Sequence, residues 1–239
     1  MMDIGIQCSY CKYVSEIPRE IIIEIYNKIM DQTPLPKEEM ELFKQLKDLK
    51  VIFDVGARED IEYLDLWPES EHHLFEPNPV FFEELAKKTE NKPNVFANNY
   101  GLGDKEEVKG YNEGLQAFAG VGGCPENYKS DLEFPIKTLD SYVIEKDIKQ
   151  IDFLKIDTEG YDLKVLLGAT NWFHIIRFIQ YEHWGKHNNL MIKGLLSEDF
   201  DTVDIGYRNV FCMNKKLVSE EERARLRKYI EDNKLGELV

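Results

Sequence analysis

The sequence predicts a doubly wound α/β protein with a mostly parallel sheet, and three observations carry that expectation. From residue 50 onward, short apolar runs alternate with helical stretches, which is the pattern of βαβ units. Three of those runs end in a carboxylate: Asp54, Glu76 and Asp157. A lone glycine, Gly56, follows the first run, Val51–Val55, where the chain must turn sharply out of a strand. Right-handed crossovers then bring the loops after the strands to one edge of the sheet, the edge at which ligands bind.

The elements follow in chain order. Ile21, Ile22, Ile25 and Ile29 recur at helical spacing and predict a helix over 17–31, which Pro34 and Pro36 interrupt. A second helix is expected from about Lys37 to Lys47, with Met40, Phe43 and Leu46 on one face. The two make an N-terminal helical extension over residues 1–49, serving as a cap or as part of a substrate or dimer surface. The main domain is expected over 50–239. Its strands are Val51–Val55, His73–Phe75, Val95–Asn99, Ile151–Ile156 and Arg177–Glu182, with helices near 59–66, 79–90 and 161–172. Residues 105–137, where Gly120, Gly122, Gly123 and Pro125 cluster, predict an irregular or hairpin insertion near the ligand edge. Thr202–Ile205 and Val210–Cys212 flank Gly206-Tyr207-Arg208-Asn209 and predict a hairpin that completes the sheet with an antiparallel edge. Ser219 and Glu222 stand at capping-box spacing and open a final charged helix to about Asp232.

Composition narrows the function. At 43% hydrophobic and 31% charged, the 239 residues have the profile of a folded globule. A formal charge of −15 opposes general nucleic-acid binding, which needs a basic surface to neutralise phosphates. No apolar run approaches the ~20 residues of a membrane span. No charged-then-apolar leader opens the chain, so a cytoplasmic protein is expected. Cys8 and Cys11 form a lone C-x-x-C, without a second pair or a histidine at zinc spacing, and idle reduced thiols are expected.

The acidic strand ends are the most specific signal. An acid ending the second strand of a nucleotide-type fold accepts both ribose hydroxyls, and Glu76 lies 20 residues after Gly56, the expected distance. The alternative, helix capping, favours Asp, Asn, Ser and Thr over Glu. A dinucleotide site wants G-x-G-x-x-G, whereas this chain has only Gly56, followed by Glu59 and Asp60. Those acids repel a pyrophosphate but not a sulfonium with an ammonium group, which favours S-adenosylmethionine over NAD.

Five segments and their order then resemble the FkbM-type methyltransferases. They are Val51-Ile-Phe-Asp-Val-Gly-Ala57, His73-Leu-Phe-Glu-Pro-Asn-Pro79, Gly101-Leu-Gly-Asp104, Thr138-Leu-Asp140 and Leu154-Lys-Ile-Asp-Thr-Glu-Gly-Tyr-Asp162, with Val165-Leu-Leu-Gly-Ala169 beside them. The resemblance covers roughly residues 50–185. It implies a Rossmann-like class I fold and S-adenosylmethionine-dependent O-methylation of hydroxyls on sugars or polyketide-like metabolites. Carried over by position, it implies that Asp54, Gly56 and Ala57 shape the methionine side of the cofactor site. Glu76 would hold the ribose, with Pro77 and Asn78 beside the adenine and Asn98 and Asn99 at its edge. Asp157 would face the cofactor's amino group or the reacting centre. The chain departs from the family pattern at Arg58 and Asp60, where Asn and a second Gly are usual.

An alcohol needs a base within hydrogen-bond reach. His183, in Tyr181-Glu182-His183-Trp184, sits just after the fifth strand, and its ordinary pKa of about 6.5 suits that role. A structural or substrate-binding role for it stands as the even alternative. Glu159 and Glu182 are competing bases, and His187 is a weaker one. Asp157, Glu159, Glu182 and His183 have donors for a cation, but carboxylates gathered at a cofactor edge account for them without one, and no metal is assigned. Trp184 is the aromatic best placed to touch an acceptor, while Trp172 lies on an apolar helical face. The expected partner is a small-molecule or glycan acceptor, with room for a homo-oligomer. Two rival readings remain, a catalytically silent scaffold and an NAD-dependent sugar oxidoreductase.

Overall fold

The computed structural model describes residues 37–112, 117–118 and 132–236. The helix expected over 17–31, the Cys8–Cys11 pair, Cys124 and the glycine cluster at 120–123 lie outside them. From Glu38 on, the chain forms one unit.

Its centre is a seven-stranded sheet. β1 (Val51–Val55), β2 (Glu71–Phe75), β3 (Val95–Asn98), β8 (Ile151–Ile156) and β9 (Ile176–Glu182) run parallel in the order β3-β2-β1-β8-β9. All of the expected parallel strands are present, within two residues at each end. β10 (Phe200–Gly206) and β11 (Asn209–Asn214) form the expected hairpin and complete the sheet beyond β9. The antiparallel member is β11, which lies between β9 and β10, so the outermost strand β10 runs with the parallel set.

β8 explains why this sheet forms. All six of its residues are buried, and four are apolar. The two charged ones have partners at opposite ends of the strand. Asp152 accepts the N–H groups of Lys50 and Val51 at 2.7 and 3.0 Å and pairs with Arg177 at 3.1 Å, so it fixes the start of β1. Lys155 serves the other end, described below. A buried charge is tolerated only when it is partnered in this way.

Helices cover both faces. α1 (Lys37–Phe43) is shorter than expected, and its Phe43 packs on Tyr63, Phe153 and Phe211. α2 (Glu62–Leu66) begins three residues later than expected and has no side-chain cap, so Glu59 and Asp60 lie in the loop before it. α3 (Pro79–Thr89) starts where Asn78 Oδ1 accepts the Val80 N–H at 3.0 Å with Pro79 at the first helical position. α4 (Leu139–Lys146) is capped by Thr138, and α5 (Asp162–Leu167) passes into a 3₁₀ turn over Thr170–Ile175, ending the expected 161–172 helix early. α6 (Lys186–Leu196) lies between β9 and the hairpin, and α7 (Glu220–Asp232) opens on Ser219, whose hydroxyl accepts the Glu222 N–H.

The expected insertion is a small second sheet. β4 (Gly101–Leu102), β5 (Glu107–Asn112), β6 (Ala117–Phe118) and β7 (Glu133–Lys137) stand in the order β4-β7-β5-β6. Leu102, Phe134 and Ile136 belong to the main core cluster together with Tyr142 and Tyr161. Where this sheet meets α5, a Cβ on Gly168 would lie 1.9 Å from the Gly103 carbonyl oxygen. Only a glycine lets the two backbones touch.

Gly168→Ala is therefore expected to lower stability by about 1–3 kcal/mol through overpacking. Gly194→Ala, on an α6 surface with nothing within 4 Å, is expected to raise it by about 0.5–1 kcal/mol. Urea unfolding checks both, and equal shifts of one sign would disprove the close-contact argument.

Candidate functional site

The strand order reverses beside β1: β1, β2 and β3 step one way across the sheet, while β8 and β9 lie on the other side. Loops leaving such a switch point diverge, and the crevice between them is where open α/β sheets take ligands.

The backbone laces three of these loops together. The N–H groups of Gly56 and Ala57 donate to the Phe75 carbonyl at 3.0 and 3.2 Å, and the Asp157 N–H donates to Val55 at 2.9 Å. Gly56 has a φ of 84°, and a Cβ there would lie 1.9 Å from the Asp157 carbonyl oxygen. The floor of the crevice is thus bare backbone, with Ala57 buried beside it.

Glu76 is pinned to that floor. Its Oε2 accepts the Arg58 N–H at 2.9 Å and its Oε1 accepts the Asn78 N–H at 2.7 Å. Each oxygen keeps a further lone pair. Burial pushes its pKa up to about 7, against these hydrogen bonds and the charges of Arg58 and Lys155. Arg58 has a φ of 50°. That left-handed backbone suits the Asn usual in FkbM-type chains, so Arg58 keeps the loop's shape at a cost of about 1–2 kcal/mol. Its guanidinium lies 4.7 Å over Phe81 and 3.7 Å from Glu59.

The neighbouring candidates have structural employment. Asn78 caps α3. Asn98 donates to the Leu74 and Phe96 carbonyls at 3.1 and 3.0 Å, while its own carbonyl accepts the Glu76 N–H at 3.0 Å. Asn99 donates to the carbonyls of Glu76 and half-buried Pro77 at 2.9 and 3.2 Å. These side chains hold the second loop in place, and the amide groups of both Asn98 and Asn99 are engaged within the protein.

On the other side of the crevice, buried Lys155 reaches up from β8. Its ammonium stands 3.0 Å from Asp54, 3.2 Å from the Gly56 carbonyl and 3.8 Å from Asp157. Burial opposes its charge, but the two aspartates outweigh burial and raise its pKa. Burial also raises Asp54, with Lys155 pulling against it. Beyond Asp157, Glu159 holds a φ of 54°. Burial, then the charges of Asp157 and Glu182, push its pKa up to about 8, while Arg208 and Arg58 pull it down. Glu182 is raised by burial and by Asp157. Its two oxygens meet Arg208 at 2.5 Å and the Trp184 indole N–H at 2.8 Å. Fully buried Asp162 ties the two loops together, accepting the Thr158 hydroxyl at 2.8 Å and the Glu182 N–H at 3.1 Å.

The structure thus gathers Asp54, Glu76, Asp157, Glu159 and Glu182 around one crevice. His183 is set apart from them. The charges that act on its ring are Asp204, Lys193 and Arg208, burial lowers its pKa, and its Nδ1 has no hydrogen-bond partner. His187 is exposed on α6. Among the described residues no group of three or more His, Cys, Asp or Glu side chains is arranged to hold a metal ion, and no helix is long and apolar enough to cross a membrane. Two contributors were not anticipated. Lys155 is the one cation in a fully buried strand, and such a residue signals a partner. Arg208 sits in a turn, where no periodicity marks it.

Fold and site together define an α/β domain with carboxylates gathered at its switch point. The chain belongs to the FkbM methyltransferase family: the methyltransferase FkbM domain matches residues 54–204. It is similar to the hexuronic acid methyltransferase AglP of Haloferax volcanii, with 25% identity over 160 residues. That match covers 66% of this chain and 65% of AglP, just under two thirds of the relative's length. Among solved structures it is similar to the FkbM methyltransferase of Methylobacillus flagellatus, at a TM-score of 0.48 and 14% identity over 70% of this chain and 43% of that one. It is also similar to the N-methyltransferase NodS of Bradyrhizobium japonicum in complex with S-adenosylhomocysteine, at a TM-score of 0.44 and 8% identity over 78% and 90% of the two chains.

The Glu159 environment makes a pH prediction. The unfolded chain releases this proton near the ordinary value of 4.5, whereas the folded protein holds it to about 8. Between those values the folded state binds more protons, so stability falls as pH rises across the window. Glu159→Gln is expected to flatten that fall in urea unfolding between pH 4.5 and 8. An unchanged slope would mean that Glu159 ionises as an ordinary surface acid.

Proposed function

We propose that this protein is an S-adenosylmethionine-dependent O-methyltransferase acting on a hydroxyl of a carbohydrate, glycan or related small molecule. The carrying observation is the crevice of an FkbM-family chain, walled by Asp54, Glu76 and Asp157 over the bare Gly56 turn. These residues fit the cofactor. The glycine turn lets the first and fourth loops pack backbone to backbone, Glu76 keeps lone pairs for two ribose hydroxyls, and the acids suit a cationic ligand while opposing a pyrophosphate. The same walls and the single glycine weigh against NAD. The left-handed Arg58, with its N–H on Glu76, weighs against a silent scaffold.

When bound, S-adenosylmethionine supplies an electrophilic methyl group on a sulfonium. The protein's part is to align the acceptor oxygen in line with it and to receive the hydroxyl proton. Glu76 holds the ribose and Asp157 faces the methionine end. Lys155 keeps Asp54, Asp157 and the Gly56 carbonyl in register. Glu159 is the better-placed proton acceptor, because it lies between Asp157 and Glu182, whereas His183 faces Asp204 and Lys193. The hexuronic acid specificity in the name of AglP supports a sugar acceptor.

Titration calorimetry with S-adenosylhomocysteine tests the cofactor half. Glu76→Ala and Asp157→Ala are each expected to weaken binding at least tenfold, and wild-type affinity in both would refute the placement. Transfer of labelled methyl from S-adenosylmethionine to a panel of sugars tests the chemistry. Glu159→Gln is expected to lower kcat by about 10²–10⁴ as a lost general base. His183→Ala is expected to cost less, and the reverse order would return the role to His183.

A further inference from the structure

The side of the crevice beyond β8 carries a feature that methyl transfer to a generic hydroxyl does not use. β10 and β11 are joined by a two-residue turn at Tyr207-Arg208, and it overhangs the end of β9: the His183 N–H donates to the Arg208 carbonyl at 3.0 Å. Tyr207 and Arg208 have φ values of 48° and 66°. Two-residue hairpin turns of this kind favour Asn and Gly, and a bulky pair there stores strain of about 1–3 kcal/mol per residue. Of the seven described non-glycine residues with positive φ, four stand on this edge of the sheet: Arg58, Glu159, Tyr207 and Arg208. Strain gathered in this way marks a site under functional constraint.

The turn presents a defined set of groups. The Arg208 guanidinium lies 4.9 Å over the Trp184 ring, with one N–H edge on Glu182 at 2.5 Å. Its side chain is 48% exposed, Trp184 is 37% exposed and Tyr207 is 49% exposed. A guanidinium held over an indole, with one edge taken, offers its remaining N–H groups to a planar anion. The exposed Trp184 ring offers its free surface for the C–H side of a pyranose. The other cations near the crevice are engaged elsewhere: Lys155 is buried against Asp54, and Arg58 lies over Phe81 beside Glu59. With Asp157, Glu159 and Glu182 repelling anions, Arg208 is the place on this side where an acceptor's negative charge is stabilised.

We infer that Arg208, held over Trp184 at this turn, selects an acceptor sugar bearing a carboxylate and is the specificity-determining residue. This rests on the methyltransferase reading, since it assigns the acceptor to the crevice beside the cofactor. The test is binding of p-nitrophenyl β-D-glucuronide and p-nitrophenyl β-D-glucoside to protein saturated with S-adenosylhomocysteine. The two probes differ only at C6, a carboxylate in one and a hydroxymethyl group in the other. Wild type is expected to bind the glucuronide at least tenfold more tightly. Arg208→Gln is expected to erase that preference, and Arg208→Lys to restore part of it, because a lysine keeps the charge but not the fork. The thermal midpoint and the S-adenosylhomocysteine Kd of each variant report that the fold and the cofactor half are intact. Equal binding of the two sugars by wild type, binding of neither, or a preference that survives Arg208→Gln would each overturn the inference. Loss of S-adenosylhomocysteine binding by wild type would instead sink the methyltransferase reading.

Discussion

Everything at the ligand edge depends on how one ammonium group is buried. Lys155 stands in a strand with no exposed residue, beside Asp54 on the neighbouring strand, and removing either partner would leave an isolated charge in the core. Such pairs contribute little net stability, because desolvation offsets most of their attraction. What this pair does is fix geometry. By holding Asp54, the Gly56 carbonyl and Asp157 together, it sets where the first and fourth parallel strands release their loops. The glycine turn, the Glu76 clasp and the left-handed Arg58 are all built outward from that point.

A second theme is division of labour among acids. Asp152 and Asp162 are fully buried and wholly occupied by backbone, hydroxyl or guanidinium donors, so they organise strands and loops. Glu76 is intermediate: it is clamped by two N–H groups yet keeps lone pairs free. Glu159 and Glu182 carry raised pKa values because burial withdraws both from water, and the charge of Asp157 adds to the effect.

Much of this was legible in the sequence, for identifiable reasons. Parallel strands buried on both faces give unbroken apolar runs, so β1, β8 and β9 are readable to within a residue or two. The acidic strand ends are readable because a carboxylate after an apolar run is rare without a role. What the sequence hid depends on direction rather than identity. His183 and Glu182 are adjacent in the chain, but His183 stands just past the end of β9 in different surroundings, and only the structure separates them. Asn98 and Asn99 look like free amides until their carbonyl partners are seen. α6 was missed because Gly194 and two asparagines blur its helical pattern, and the small second sheet because its strands are two to six residues long.

The position of β11 has a consequence for how the protein is assembled. Because β11 is wedged between β9 and β10, the outer strand has no partner in the sheet until the hairpin has closed on itself. Hairpins close locally and quickly, whereas docking onto β9 is a longer-range event. On the ribosome, Tyr207 and Arg208 also emerge after every parallel strand. Strands β1 to β9 and their loops are therefore all present in the growing chain before this turn arrives, and a chain arrested at this stage would show an open strand edge to its neighbours.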